Sequence, residues 1–153
     1  MLDQVAETAT ARLQVMSRGR YRLRRTDQRR TARSHAGLEL EVYDHYTGRE
    51  RPVSTLSGGE GFMASLALAL GLSDVVQARS GGIRLDTIFI DEGFGTLDPE
   101  SLDLAIDTLV DLQLAGSRLV GIISHVPELA ERIDARLEVT MTERGSRARF
   151  VVG

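Results

Sequence analysis

The chain has 153 residues, 42% of them hydrophobic, and a net charge of −3, which suits a single soluble globular domain with its own core. It has no cysteine, which excludes disulfides and thiolate metal sites, and no run of 18 apolar residues, so no membrane span is expected. All 19 basic residues are arginine, so the chain cannot form a P-loop, whose G-x-x-x-x-G-K-[ST] pattern needs a lysine to reach the β- and γ-phosphates.

The first residues, Met1-Leu2-Asp3-Gln4, lack the basic-then-apolar pattern of a signal peptide, and a cytoplasmic location is expected. Leu2, Ala6, Ala9, Leu13 and Met16 recur at spacings of four and three. That predicts an amphipathic helix with a coiled-coil-like stripe about two heptads long, ended by Gly19. A basic stretch follows: nine arginines and one acid, Asp27, lie between Arg12 and Arg33. Such asymmetry points to a face for an anionic partner. Residues 21–24 and 38–43 read as strands joined by a polar linker, and Leu38, Leu40 and Val42 alternate with Glu39, Glu41 and Tyr43. Thr47-Gly48 marks a turn, and Pro52 argues against a central strand. His35 and His45 have no assigned role.

From Leu56 the chain becomes strongly apolar. Residues 62–72 read as a buried helix and Ser80-Gly81-Gly82 as a loop. Residues 87–90, a short apolar run followed by two acids, read as a fully buried parallel strand. Asp98-Pro99 is an N-cap followed by a first-turn proline. It opens a helix to about Leu114 that buries Leu102, Ile106, Leu109 and Val110 and wets Asp103, Asp107 and Asp111. Residues 119–123 form another buried strand, Pro127 starts a short helix, and residues 137–141 and 148–152 form a closing hairpin around Glu143-Arg144-Gly145-Ser146. Alternation of strand and helix implies an α/β fold with a parallel sheet and right-handed crossovers.

Three segments carry chemistry. Leu56-Ser57-Gly58-Gly59-Glu60 opens a long helix. Its N–H groups and dipole favour an anion, and the same residues spell a capping box in which Ser57 caps and Glu60 sits at N3. Asp91 and Glu92 end a parallel strand, where open α/β sheets bind ligands. One carboxylate can hold Mg²⁺ through waters and the other can orient and deprotonate a water. Ser124-His125 ends the next strand, and a histidine there can hydrogen-bond a phosphate oxygen.

In order and spacing, LSGGE, IFIDEGFGTLD and ISH resemble the signature motif, the Walker B with D-loop, and the switch histidine of ABC ATPases. The fuller pattern, TLSGGEGFMASLALALGLSD followed by DEGFGTLD, is similar to the SbcC family of SMC-like DNA-repair ATPases. Transporter ATPases usually read DEP after Walker B. The resemblance implies the C-terminal lobe of an ABC-type P-loop ATPase head. Residues 1–17 would be the root of the descending coiled-coil arm, 18–55 a basic strand pair and linker, and 56–153 the lobe itself.

By the same resemblance, ATP and Mg²⁺ are the cofactors. Asp91 would hold Mg²⁺ through water, Glu92 would be the general base, and His125 would contact the γ-phosphate. Ser57, Gly58, Gly59 and Glu60 would reach ATP held by the opposite head of a homodimer, and Asp98 would face that head. Arg20, Arg22, Arg24, Arg29 and Arg30 are candidates for DNA contact. The implied partners are the N-terminal half of the same head with Walker A and Q-loop, a second head, an SbcD-type nuclease and DNA, with no membrane. The chain would be a fragment, inactive alone, of an ATPase whose head dimerisation controls DNA end processing. A recombination or condensin-type head is the alternative, and a transporter half a more distant one.

Overall fold

The computed structural model describes residues 1–26, 40–79, 81, 85–116 and 118–153. Helix α1 (Leu2–Met16) turns Val5, Ala6, Ala9, Leu13 and Met16 inward. The predicted stripe is therefore spent against α2 (Gly58–Arg79) and strand β1 (Tyr21–Arg25). The two helices approach so closely that a Cβ on Gly71 would lie 2.9 Å from both the Ala9 nitrogen and the Val5 oxygen. Only glycine allows that backbone contact. Helix α1 closes at Ser17, and the chain reverses through Arg18 and Gly19, both at positive φ.

Strands β1, β2 (Leu40–Asp44) and β3 (Arg49–Pro52) form an antiparallel sheet with β2 central. Tyr21, Leu23, Leu40 and Val42 face inward. Pro52 lies on the edge strand, where a missing donor costs no ladder bond. Of the predicted second strand, Leu38 and Glu39 lie outside the described residues, as do His35, Arg29 and Arg30. His45 meets the Tyr43 ring edge-on.

Strands β4 (Thr87–Asp91) and β5 (Leu119–Ile123) are parallel and joined by α3 (Pro99–Gly116). After α4 (Pro127–Arg132), β6 (Ala135–Thr142) and β7 (Gly145–Val152) form a hairpin. Gly145, at φ +109°, closes its two-residue turn. Among the described residues the parallel sheet thus has two strands, and the other five are antiparallel. The fold is mixed α/β, with helices against several small sheets.

One core joins Leu13, Met16, Tyr21, Leu23, Met63, Ala67, Leu70, Phe94, Leu102, Ile106, Leu109 and Leu129. A side chain of leucine size contributes about 1.5–3 kcal/mol when fully buried. Four expectations need correction. Strands β4 and β5 are not fully buried. Ile88, Ile90, Val120 and Ile122 pack inward, whereas Phe89, Leu119 and Ile123 are exposed on the other face, which nothing among the described residues covers. Helix α2 is not apolar-in on every side, since Ser65, Ala69 and Leu72 face outward. It is long and apolar enough to match a membrane span by length and composition, but its Met63, Leu66 and Leu70 are core residues. On α3, Val110 is exposed because Ala105, Ile106, Leu109 and Leu112 already fill the inner face. Asp103 and Asp107 do more than wet that helix, since both pair with Arg132.

Candidate active site

At the C-terminal edge of β4, Asp91 is exposed and pairs in register with Ile123 of β5. The next residue, Glu92, donates its backbone N–H to the Ile123 carbonyl at 2.8 Å, extending the ladder by one bond. Its φ is +60° and that of Gly93 is +102°, so the chain leaves the sheet through two successive left-handed residues. His125, two residues past β5, places Nδ1 3.0 Å from Glu92 Oε2 and 3.1 Å from Oε1. Asp91, Glu92 and His125, expected from the sequence as metal-holding, base and phosphate-contacting residues, therefore lie at one sheet edge. Both Glu92 and His125 are open to solvent.

The signature segment sits at the N-terminal end of α2 with Ser57 and Gly58 exposed. The capping box forms: the Ser57 N–H donates to Glu60 Oε2 at 2.9 Å, and the Glu60 N–H donates to Ser57 Oγ at 3.3 Å. The other oxygen of Glu60 accepts from Tyr21 Oη at 2.5 Å and Arg20 Nη1 at 3.3 Å. Burial pushes the Glu60 carboxyl up, but the hydrogen bonds from Tyr21 and Ser57 outweigh it and hold the group below its ordinary value. Burial, reinforced by Glu60, pushes the Tyr21 phenol up to about 12.

Signature and D-loop touch directly. A Cβ on Gly59 would lie 2.6 Å from the Thr96 carbonyl oxygen. Asp98 caps α3, accepting from the Ser101 N–H at 2.9 Å and from Ser101 Oγ at 2.7 Å, and these bonds hold its carboxyl below the usual range. Arg18 approaches Asp98 at 3.9 Å and Glu100 at 2.7 Å. A cavity of about 270 Å³ lies between Arg18, Arg20, Ser57, Gly59 and Asp98. A larger, apolar cleft of about 470 Å³ runs between α2 and β4 and ends at Asp91, Glu92 and Gly93.

The expected DNA-contact residues separate. Arg20 is taken by the fully buried Asp44, with Nε at 3.2 Å and Nη2 at 3.0 Å. That contact holds the Asp44 carboxyl down against its burial. Arg22 and Arg24 lie on the outer face of β1, where Arg24 meets Glu50 at 2.6 Å. Tyr21 and Leu23 point to the core, as their alternation predicts. Sequence reasoning overlooked Arg18, Phe62 and Gly93. The one signal, for Gly93 alone, was its place where transporter ATPases carry the proline of DEP.

An exposed carboxylate at a strand end fits Mg²⁺, which keeps most of its waters and takes one or two protein oxygens. Asp91 would supply that oxygen. Among the described residues there is no group of three or more acidic or histidine side chains that could enclose a metal ion.

Residues 26–111, more than half of the chain, match the family described as SbcC/RAD50-like, Walker B motif. The chain is 62% identical over 151 residues to the SbcC subunit of the nuclease SbcCD of Vibrio cholerae, covering 99% of this chain and 15% of that protein's length. Its fold matches a chain solved in work on ATP-driven dimerization and DNA stimulated activation of SMC ATPases, with a TM-score of 0.73, 14% identity, and coverage of 97% and 83%. It also matches an SMC head domain from Thermotoga maritima, with a TM-score of 0.65, 21% identity, and coverage of 97% and 48%. The chain belongs to the SbcC/RAD50-like family, and what it contains is the family's Walker B region.

Proposed function

We propose that this chain is the C-terminal half of an SMC-like ATPase head that hydrolyses ATP only when joined to a Walker A half and engaged with a second head. The observation that carries this is the pairing of Glu92 with His125 at the edge of β4 and β5, on the same body that exposes Ser57 and Gly58 at a helix N-terminus. One cluster can act on a nucleotide in its own head, while the other can grip a nucleotide held opposite.

Asp91 would hold Mg²⁺ through water, and the ion supplies charge stabilisation to the transferring phosphoryl group. Glu92 orients the attacking water and accepts its proton. His125, beside Glu92, contacts a γ-phosphate oxygen. Ser57 and the N–H groups of Gly58 and Gly59 bind the γ-phosphate across the dimer. Loss of that phosphate removes the bridge between heads.

The Walker A half is the natural occupant of the open apolar faces. Phe89, Leu119 and Ile123 on one sheet, and Leu137, Val139, Met141, Phe150 and Val152 on the hairpin, are too much exposed apolar surface to face water. As the family resemblance implies, the complete ATPase acts with a nuclease of the SbcD type on DNA ends. Arg22 and Arg24, with Arg29 and Arg30 outside the described residues, are the basic residues that could meet DNA phosphates. Arg20 is committed to Asp44 and Glu60.

The test is a complete head carrying Glu92→Gln. Hydrolysis should fall by roughly 10²- to 10⁴-fold, while light scattering still records ATP-driven association. Ser57→Arg should instead abolish association. Equal loss of association in both variants would refute the division of labour.

A further inference from the structure

Glu92 stands in a backbone conformation that an L-residue with a Cβ seldom adopts, and something must hold it there. Three contacts hold the backbone of Glu92 and Gly93. The Glu92 N–H is anchored to Ile123. Thr96 Oγ1 donates to the Gly93 carbonyl at 2.7 Å. The third is the ring of Phe62, from the first turns of α2. A Cβ on Gly93 would lie 2.3 Å from Phe62 Cδ2 and Cε2, so no side chain fits between them. Phe62 is in turn locked edge-on to Phe94 at 4.9 Å, and Phe94 is fully buried. A proline at position 93 is excluded twice, by this contact and by its fixed φ near −65°, since Gly93 is at +102°.

We propose that Phe62 is a positioning residue for hydrolysis: its ring, seated on the bare backbone of Gly93, holds Glu92 in the left-handed turn that aims its carboxylate at His125. The helix that presents the signature serine thereby also sets the base of its own head. A displacement of the start of α2 would bear on the backbone next to Glu92 through this contact. This rests on the assignment of Glu92 as the water-activating carboxylate, and Glu92→Gln serves as the control for that assignment.

The experiment compares wild type, Glu92→Gln, Phe62→Ala, Phe62→Leu, Phe62→Tyr, Gly93→Ala and the double variant Phe62→Ala/Gly93→Ala in the complete head. Steady-state hydrolysis, ATP-driven association and thermal melting are measured for each. Phe62→Ala should lower kcat by roughly 10- to 100-fold, the scale expected when a catalytic group is misplaced by about 1 Å, with KM for ATP and association unchanged. Phe62→Tyr, which keeps the ring, should retain the wild-type rate. Gly93→Ala should lose rate similarly, and the double variant should be no slower than the worse single, because both changes act on one seat. Phe62→Leu keeps apolar bulk without the ring and carries the same comparison if the alanine variant melts early. Wild-type kcat in both Phe62→Ala and Phe62→Leu, with Glu92→Gln inactive, overturns the proposal. So do losses that multiply in the double variant, or a fall in association parallel to the fall in kcat. Undiminished turnover by Glu92→Gln would instead sink the assignment of Glu92 itself.

Discussion

The α1–α2–β1 region and the β4–β5 and β6–β7 sheets each carry a face of apolar side chains, yet only the first is closed off from water. Ala9, Leu13, Met16, Tyr21 and Ala67 are excluded from water, while Met141 is 90% exposed and Phe89 74% exposed. The hairpin shows the contrast within a single element. Ala135, Leu137, Val139 and Met141 face Val152, Phe150, Ala148 and Ser146 across the register on one side. On the other side Glu138 is held by Arg136 at 3.0 Å and Arg149 at 2.7 Å. Such one-sided faces have the alternation of a sheet that expects a partner layer. A closed core and an open apolar face therefore lie side by side in this chain, and the open face is where the proposed Walker A half would pack.

The comparison would break most visibly if the lone chain turned over ATP. Phosphate release by the purified chain should stay at background, and adding a Walker A half should restore turnover and solubility together. Clear activity of the lone chain, abolished by Glu92→Gln, would mean the open faces await nothing. Next in size are truncations inside each region. Leu13→Ala, in the closed core, should cost about 2–5 kcal/mol of stability in chemical melts of the complete head. Val139→Ala should cost close to nothing in the lone chain and become costly only once the Walker A half is present.

The polar boundary of the closed core sharpens the contrast further. Asp44 is buried and held by Arg20, with Arg51 at 3.8 Å. Arg20→Gln should cost about 3 kcal/mol at neutral pH, the low end for breaking a buried pair, because Arg51 remains close and Arg20 is partly exposed. The Asp44 carboxyl is depressed below its ordinary 3.8, so its stabilisation is present above that pH and is lost as pH falls through the folded value. Melts at decreasing pH should show the gap between variant and wild type closing in acid and widening towards neutrality.

The smallest effect concerns DNA. Changing Arg22, Arg24, Arg29 and Arg30 to Glu in the complete head should flatten the dependence of DNA affinity on salt, by roughly 0.9 log units per log unit of salt for each phosphate no longer neutralised. Sequence preference should not change. Arg20 is left intact, since replacing it would disturb Asp44 and Glu60 as well. An unchanged slope would place the DNA path elsewhere.

Much of this was legible in the sequence because it is local. The α1 stripe, the Asp98-Pro99 cap, the Ser57/Glu60 box and the tight hairpin turn each depend on residues within a few positions of one another. Burial was less legible where a strand's second face depends on chain from elsewhere. An apolar run such as Thr87-Ile88-Phe89-Ile90 reads the same whether covered on one side or two. Val110 misled for a related reason, since helical periodicity cannot say how wide the buried stripe is. Least legible were the arginines. Their number suggested one basic face, but the fold disperses them among partners 22 to 82 positions away in sequence. Arg20 goes to Asp44, Arg24 to Glu50 and Arg12 to Asp74.

The double duty of Glu60 has a consequence for how force travels through the molecule. One oxygen clamps the start of α2 through Ser57, and the other is pinned by Tyr21 and Arg20, the first residues after the turn that ends α1. The carboxylate thus ties the start of α2 to the residues that follow α1. A displacement of the turn after α1 would bear on Ser57 through these three hydrogen bonds as well as through the packing of α1 on α2. The joint is also indifferent to physiological acidity. Its carboxyl titrates below its ordinary 4.5 and its phenol above its ordinary 10.0, so its contribution is complete between those limits. Only strong acid, strong base or mechanical load can loosen it.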